Sequence, residues 1–208
     1  MTSGEALLIA AGETSGAERF QDSLASATHI IAVDGGLRHL RALDKAPTLV
    51  VGDLDSAKEE DLQWAKENGA EIVHLPHQSE SDLAKALNLC HQRGWNDILV
   101  DGIEGGRHDH LLGGLAALAG AHQTLNIRAN LPSTKLTRFV TGFSDNITLS
   151  GTFSVFSFGS VNVTLLGPKW ELNNDEVTFS TRGLSNQGYG ESELIIHSGD
   201  PLFLLINL

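Results

Sequence analysis

The periodicity of this chain changes once, near residue 135, and that change restricts the possible fold more than any composition figure. Upstream, to about Leu131, short apolar runs alternate with stretches of helical spacing. Leu7 to Ala11, Ile30 to Val33, Thr48 to Val51, Ile72 to Leu75 and Ile98 to Val100 read as buried strands. Between them, Ala57 to Asn68 carries helix formers and stops at Gly69. Ser81 can cap a helix whose Leu83, Ala86, Leu87 and Cys90 fall at helical spacing before Gly94. A further helix carries Leu112, Leu115, Leu118 and Ala119. Strands alternating with helices predict a parallel sheet flanked by helices. Downstream, the segments Ile147 to Leu149, Phe153 to Phe158, Val161 to Leu166, Val177 to Ser180, Glu193 to His197 and Leu202 to Ile206 are separated by Gly, Asn, Asp and Pro, the pattern of an all-β sandwich. The expectation is an N-terminal parallel-sheet α/β domain over residues 1–135 and a C-terminal β-sandwich domain over 136–208.

Composition narrows the partners. The formal net charge is −12 with only 14 Lys and Arg, which argues against a nucleic-acid surface, because phosphate-backbone binding needs clustered cations. An anionic substrate must then be met by a metal or by a few local cations. The one cysteine, Cys90, excludes an intrachain disulfide and reads as a buried, inert thiol. No stretch approaches a membrane-spanning length, and Met1 to Glu5 lacks the basic start of a signal peptide, so a cytoplasmic protein is expected.

Punctuation after the strands carries the chemistry. Val50-Val51-Gly52-Asp53-Leu54-Asp55 delivers two carboxylates to the end of a strand, where open α/β sheets place their ligands. Oxygen donors of this kind suit a hard cation such as Mg²⁺ shared with substrate phosphates; a solvated turn with Asx-type hydrogen bonds would produce the same D-x-D pattern. Three other strand ends carry Asp34-Gly35-Gly36, Ser79 to Asp82, and Gly105-Gly106-Arg107-His108-Asp109-His110. Four such points on one sheet edge converge in space. Gly35, Gly36, Gly105 and Gly106 let backbone approach a phosphate, or serve simply as tight turns. Arg107 suits bidentate phosphate contact. Asp109 is placed to orient Arg107, to accept a proton from a hydroxyl, or to cap the following helix. The histidines show no zinc spacing, and there is no P-loop, no dinucleotide fingerprint in Gly12 to Gly16, and no nucleophile elbow.

In order, Asp34-Gly35-Gly36, Gly52-Asp53-Leu54-Asp55-Ser56, Gln78-Ser79-Glu80-Ser81-Asp82, the Gly105 to His110 run, Gly167-Pro168-Lys169-Trp170-Glu171-Leu172 and Ser185-Asn186 resemble the motif series of the thiamine pyrophosphokinase family, over nearly the whole chain. The resemblance implies transfer of a pyrophosphoryl group from ATP to thiamine, giving thiamine diphosphate and AMP with Mg²⁺. It implies that Asp53, Asp55 and Asp82 hold the metal, with Gln78, Ser81, Arg107 and Asp109 in the same pocket. It places Trp170 against the thiamine pyrimidine with Ser185 and Asn186 hydrogen-bonding it, and implies a homodimer whose active site lies between subunits. The chain departs from the family pattern at Ser79, where an acid is usual, and at Gly114, which replaces an Asn. Other readings of the same residues are a pyrophosphokinase for another hydroxymethyl heterocycle such as a pterin, a Mg²⁺-dependent phosphohydrolase, and an idle thiamine-binding module.

Overall fold

The computed structural model describes residues 4–77, 79–105 and 107–208. Gln78 and Gly106 therefore lie outside the described residues. The chain divides into two compact units, Met1–Pro132 and Ser133–Leu208.

The first unit is a parallel α/β sheet. Its strands are β1 (Ala6–Ile9), β2 (His29–Val33), β3 (Leu49–Gly52), β4 (Glu71–His74), β5 (Asp97–Asp101) and β6 (Asn126–Leu131), in the spatial order β4-β3-β2-β1-β5-β6. All adjacent strands among them pair in parallel. Both β1 and β3 are buried throughout, as strands covered on both faces must be, which is why they read as unbroken apolar runs. The helices are α1 (Ala17–Ser26), α2 (Leu37–Ala42), α3 (Glu59–Glu67), α4 (Asp82–Gln92) and α5 (His108–Gly120). Ser81 caps α4 by accepting from Ala84 N at 3.3 Å. Gly69 and Gly94 end α3 and α4 in the left-handed conformation, at φ 89° and 73°. Leu7, Ile9, Ala32, Leu40 and Val50 form one core with Ala65 of α3, and Trp64 packs against it. Leu118 of α5 is buried as its spacing suggests, but Leu112 is 55% exposed. At the outer edge, β4 is only partly buried, and its first residue, Glu71, is gripped by both terminal nitrogens of Arg93 at 2.6 and 2.8 Å.

The second unit contains β7 (Thr134–Phe139), β8 (Ser144–Phe156), β9 (Ser160–Leu166), β10 (Leu172–Thr178), β11 (Asn186–Gly199) and β12 (Leu202–Asn207). Its strands form one antiparallel hydrogen-bonded run, β10-β9-β11-β8-β12-β7, carried by two long strands that each change partner along their length. The 14-residue β11 pairs with β8 over Asn186 to Ile195 and with β9 from Glu193 to Gly199, while β8 passes from β11 to β12 at Phe153. The sequence reads β8 as two pieces; the ladder runs through Gly151 unbroken. Inward-facing Leu149, Phe153, Val163, Leu165, Leu194 and Ile196 still build a separate core, as period-2 alternation dictates.

Candidate active site

Strand order reverses at β1, whose neighbours are β2 and β5, and this is where open α/β sheets form a ligand crevice at their carboxyl edge. A cavity of about 620 Å³ lies there, lined by Asp34, Asp53, Asp55, Ser81, Asp82, Gly105, Arg107 and Asp109 among others. The loops after β2, β3, β4 and β5 thus bring these residues together from four separate stretches of chain.

At its base, Asp34, Asp53 and Asp82 each place a carboxylate oxygen within 4.8 Å of the others. Asp34 adopts φ 44°, a conformation that Asp tolerates better than most residues. Gly52 has φ 150°, and a Cβ there would come within 3.0 Å of the Asp34 Cβ and 3.2 Å of the Asp82 Cγ. A side chain at 52 would press on both Asp34 and Asp82. Backbone amides fix the carboxylates: Asp53 N donates to Asp82 Oδ1 at 3.0 Å, and Ser56 N to Asp34 Oδ1 at 3.3 Å. Burial pushes the Asp34 carboxyl above its ordinary range; bonds from Gly35 and Ser56 oppose this, and the charge of Asp82 adds to it. An all-oxygen, acidic donor set of this kind fits a hard divalent cation such as Mg²⁺.

Asp55 lines the cavity but stands outside the trio. It is exposed, with Oδ1 accepting from Ser56 Oγ at 2.9 Å and its own amide donating to Asp53 Oδ1 at 3.2 Å. Asp34, read from sequence as part of a phosphate-facing turn, takes the third corner instead. Gly35 and Gly36 are buried in the turn after β2, behind the residues that line the cavity: a Cβ on Gly36 would collide with Ile9 O, and one on Gly35 would press on Ala11 and Ser56. They allow the turn to pack against β1.

At the rim, Arg107 donates through Nε to Asp109 Oδ1 at 3.1 Å and through a terminal nitrogen to Oδ2, a two-pronged grip between exposed groups. Arg107 holds the Asp109 carboxyl down at about 2. Of the three roles open to Asp109, orienting Arg107 fits this geometry, and a carboxylate so acidic is a weak proton acceptor.

Sequence reasoning missed Lys85. Its side chain is 5% exposed, and Nζ reaches Asp82 Oδ1 at 2.9 Å, one turn along α4. The available signal was the i, i+3 spacing of Asp82 and Lys85 beside the buried Leu83, Ala86 and Leu87.

The second unit has its own cavity, of about 400 Å³, lined by Trp170, Glu171, Arg182, Leu184, Ser185 and Asn186 among others. Trp170 is 54% exposed, and Lys169 Nζ lies 4.5 Å from the centre of its ring. Asn186 is buried and hydrogen-bonded to the Trp170 backbone. Its Oδ1 accepts from Trp170 N at 3.2 Å and Gln187 N at 2.8 Å, and its Nδ2 donates to Trp170 O at 2.7 Å. Asn186 thus fastens the Trp170 backbone within the cavity where the resemblance places substrate. Ser185 sits at φ 58°, with its amide donating to Ser154 Oγ at 3.0 Å. Cys90 is buried and its thiol pushed up to about 12, consistent with an inert role.

An open parallel sheet with carboxylates gathered at its switch point defines an α/β ligand-binding protein. The family model for thiamin pyrophosphokinase, catalytic domain, matches residues 20–129. Thiamine pyrophosphokinase of Bacillus subtilis (strain 168) is 30% identical over 165 residues, covering 76% of this chain and 77% of its own. Thiamin pyrophosphokinase 1 of Caenorhabditis elegans is 25% identical over 199 residues, covering 88% and 80%. The crystal structure of the Bacillus subtilis enzyme superposes with a TM-score of 0.77 at 25% identity, over 97% of this chain and 99% of that one. The chain belongs to the thiamin pyrophosphokinase family.

Proposed function

We infer that the chain transfers the pyrophosphoryl group of ATP to the hydroxyl of thiamine, giving thiamine diphosphate and AMP. The observation that carries this reading is the convergence of Asp34, Asp53, Asp82 and Arg107 on one cavity in a member of this family. Phosphoryl transfer spreads negative charge over phosphate oxygens, so catalysis is mostly positioning and electrostatic stabilisation. Asp34, Asp53 and Asp82, with Asp55 at their edge, would hold Mg²⁺, which when bound neutralises phosphate charge. Arg107, set by Asp109, offers a planar fork to the same phosphates. Ser81 and Gly105 line the phosphate side, as Gln78 and Gly106 are expected to do.

The acceptor belongs to the second unit. Thiamine is cationic and aromatic, and an indole face gains roughly 0.5–2 kcal/mol from such a ligand. Trp170, with its backbone fastened by Asn186 and with Ser185 beside it, supports that assignment. The division of labour is thus phosphate chemistry over 1–135 and acceptor binding over 136–208. A homodimer in which the β unit of one chain completes the site of its partner extends the proposal. The cytoplasm, which supplies ATP and Mg²⁺, suits the reaction; among the described residues no helix is long and apolar enough to cross a membrane.

Incubating the purified protein with ATP, Mg²⁺ and thiamine and resolving the nucleotide products tests the reading. AMP and thiamine diphosphate are expected in equal amounts. ADP with inorganic phosphate would indicate hydrolysis instead, and AMP formed only with a pterin alcohol would reassign the acceptor.

A further inference from the structure

Asp101, at the end of β5, is fully buried, yet it takes no part in the trio or the rim. Both of its carboxylate oxygens bond Ser15, and the Gly102 amide also donates to the carboxylate. Oδ1 accepts from Ser15 N at 2.9 Å and Oδ2 from Ser15 Oγ at 2.6 Å, while its backbone oxygen accepts from Ala10 N at 2.9 Å. Ser15 is itself buried and closes the loop after β1, the glycine- and hydroxyl-rich segment from Gly12 to Gly16. The same loop is stitched to the one after β5 by Gly12 N to Gly102 O at 2.6 Å and Glu13 N to Glu104 O at 2.5 Å. From the opposite side, Arg38 bonds Ala11 O, and His39 Nε2 lies 2.8 Å from Gly12 O. The backbone so clamped forms the cavity wall, with Ala10, Ala11 and Gly12 on one loop and Gly102 and Gly105 on the other. A buried carboxylate is a costly way to fasten a loop, and the fold retains it only with every bond satisfied.

We propose that Asp101 and Ser15 are a positioning pair that joins the β1 and β5 loops into one rigid wall, so that the nucleotide meets a preformed site. The proposal rests on the cavity taking ATP. Freed from the pair, the loop residues must be ordered when ATP binds, and ordering even one backbone residue weakens binding by about tenfold.

Three variants separate the possibilities. Asp101→Ala removes both acceptors, Ser15→Ala removes one bond, and Asp101→Asn keeps both, because its amide oxygen accepts from Ser15 N and its amide nitrogen donates to Ser15 Oγ. The KM for ATP should rise about tenfold or more in Asp101→Ala, rise less in Ser15→Ala, and stay near wild type in Asp101→Asn, with the KM for thiamine changing less than about twofold throughout. Folded Asp101→Ala protein with a wild-type KM for ATP overturns the proposal, as does Asp101→Asn being as impaired as Asp101→Ala, which would assign the role to the charge itself. If Asp101→Ala fails to fold, Ser15→Ala decides, and an unchanged KM for ATP there also overturns it. Calorimetry of the wild-type protein with a non-hydrolysable ATP analogue keeps the two readings apart: absence of binding there refutes the functional reading, whereas equal binding by wild type and Ser15→Ala refutes only this one.

Discussion

Lys85→Met tests the electrostatics of the carboxylate trio directly, since methionine keeps most of the apolar stem and removes only the ammonium. The Lys85 side chain is 5% exposed and that of Asp82 25%, at an Nζ–Oδ1 distance of 2.9 Å. At an effective dielectric near 20 the gross attraction is about 6 kcal/mol. Much of it is offset by the desolvation of both groups, and breaking buried pairs by removing one partner typically costs about 3–5 kcal/mol. Asp82 keeps the Asp53 amide and some solvent, which places this site at the lower end, near 3 kcal/mol. For a chain of 208 residues that corresponds to a fall in Tm of about 6–12 °C. The assay is thermal unfolding of wild type and variant in EDTA and again in excess Mg²⁺. In EDTA the variant should melt lower by this margin. Adding Mg²⁺ should raise its Tm more than that of wild type, because the cation supplies positive charge where the ammonium was lost and binds only the folded state. Equal melting in EDTA, or a gap indifferent to Mg²⁺, would refute the view that Lys85 balances the charge of a cation site.

Other outcomes follow from the same geometry. Asp53→Asn should reduce transfer to background in a protein that still folds by circular dichroism, and near-normal turnover at ordinary Mg²⁺ would remove Asp53 from the site. Trp170→Ala should weaken thiamine binding by roughly 1–3 kcal/mol in calorimetry while ATP affinity holds, since the two cavities lie in different units; equal loss of both would indicate misfolding. The Asp109 carboxyl, followed by ¹³C NMR, should titrate near 2 and return towards 3.8 in Arg107→Gln. Its value is depressed, so the ion pair with Arg107 is intact above about pH 4 and is lost as pH falls through about 2; an unmoved midpoint in the variant contradicts the pairing. Mixing Asp53→Asn with Trp170→Ala subunits should restore part of the activity if each site is completed by a partner, and no recovery after subunit exchange is verified by mass would mean that each chain completes its own.

The N-terminal unit was legible where burial left an unmistakable trace. Strands such as β1 and β3 are covered on both faces and spell continuous apolar runs, and Gly69 and Gly94 mark helix ends by their backbone geometry. Strand β6 escaped because Asn126, Arg128 and Asn130 interrupt its buried positions, so that it resembles a polar connection. Acids after strands could be read as one site because parallel strands all end on the same edge. The resemblance already paired Asp53 with Asp82; that Asp34 joins them was not readable, because only the fold brings its oxygens to theirs, while Asp55, two residues from Asp53, stays exposed at the cavity edge. Lys85 was lost for a related reason: it resembles an ordinary polar residue until tertiary contacts reveal that it is buried and committed to one partner.

Strand β4 carries a consequence for how this protein behaves at high concentration. As the outermost strand of the N-terminal unit, it presents a row of peptide groups to which another extended chain could add. It is only four residues long, and its ends are Glu71 and His74, both exposed. A chain adding along this edge would have to cover the Glu71–Arg93 ion pair, whose guanidinium also lies 5.2 Å from the centre of the Trp95 ring. Resistance to aggregation through this edge is thus concentrated in one short segment: its shortness and its charge make intermolecular strand addition unrewarding, where a longer apolar edge would invite it.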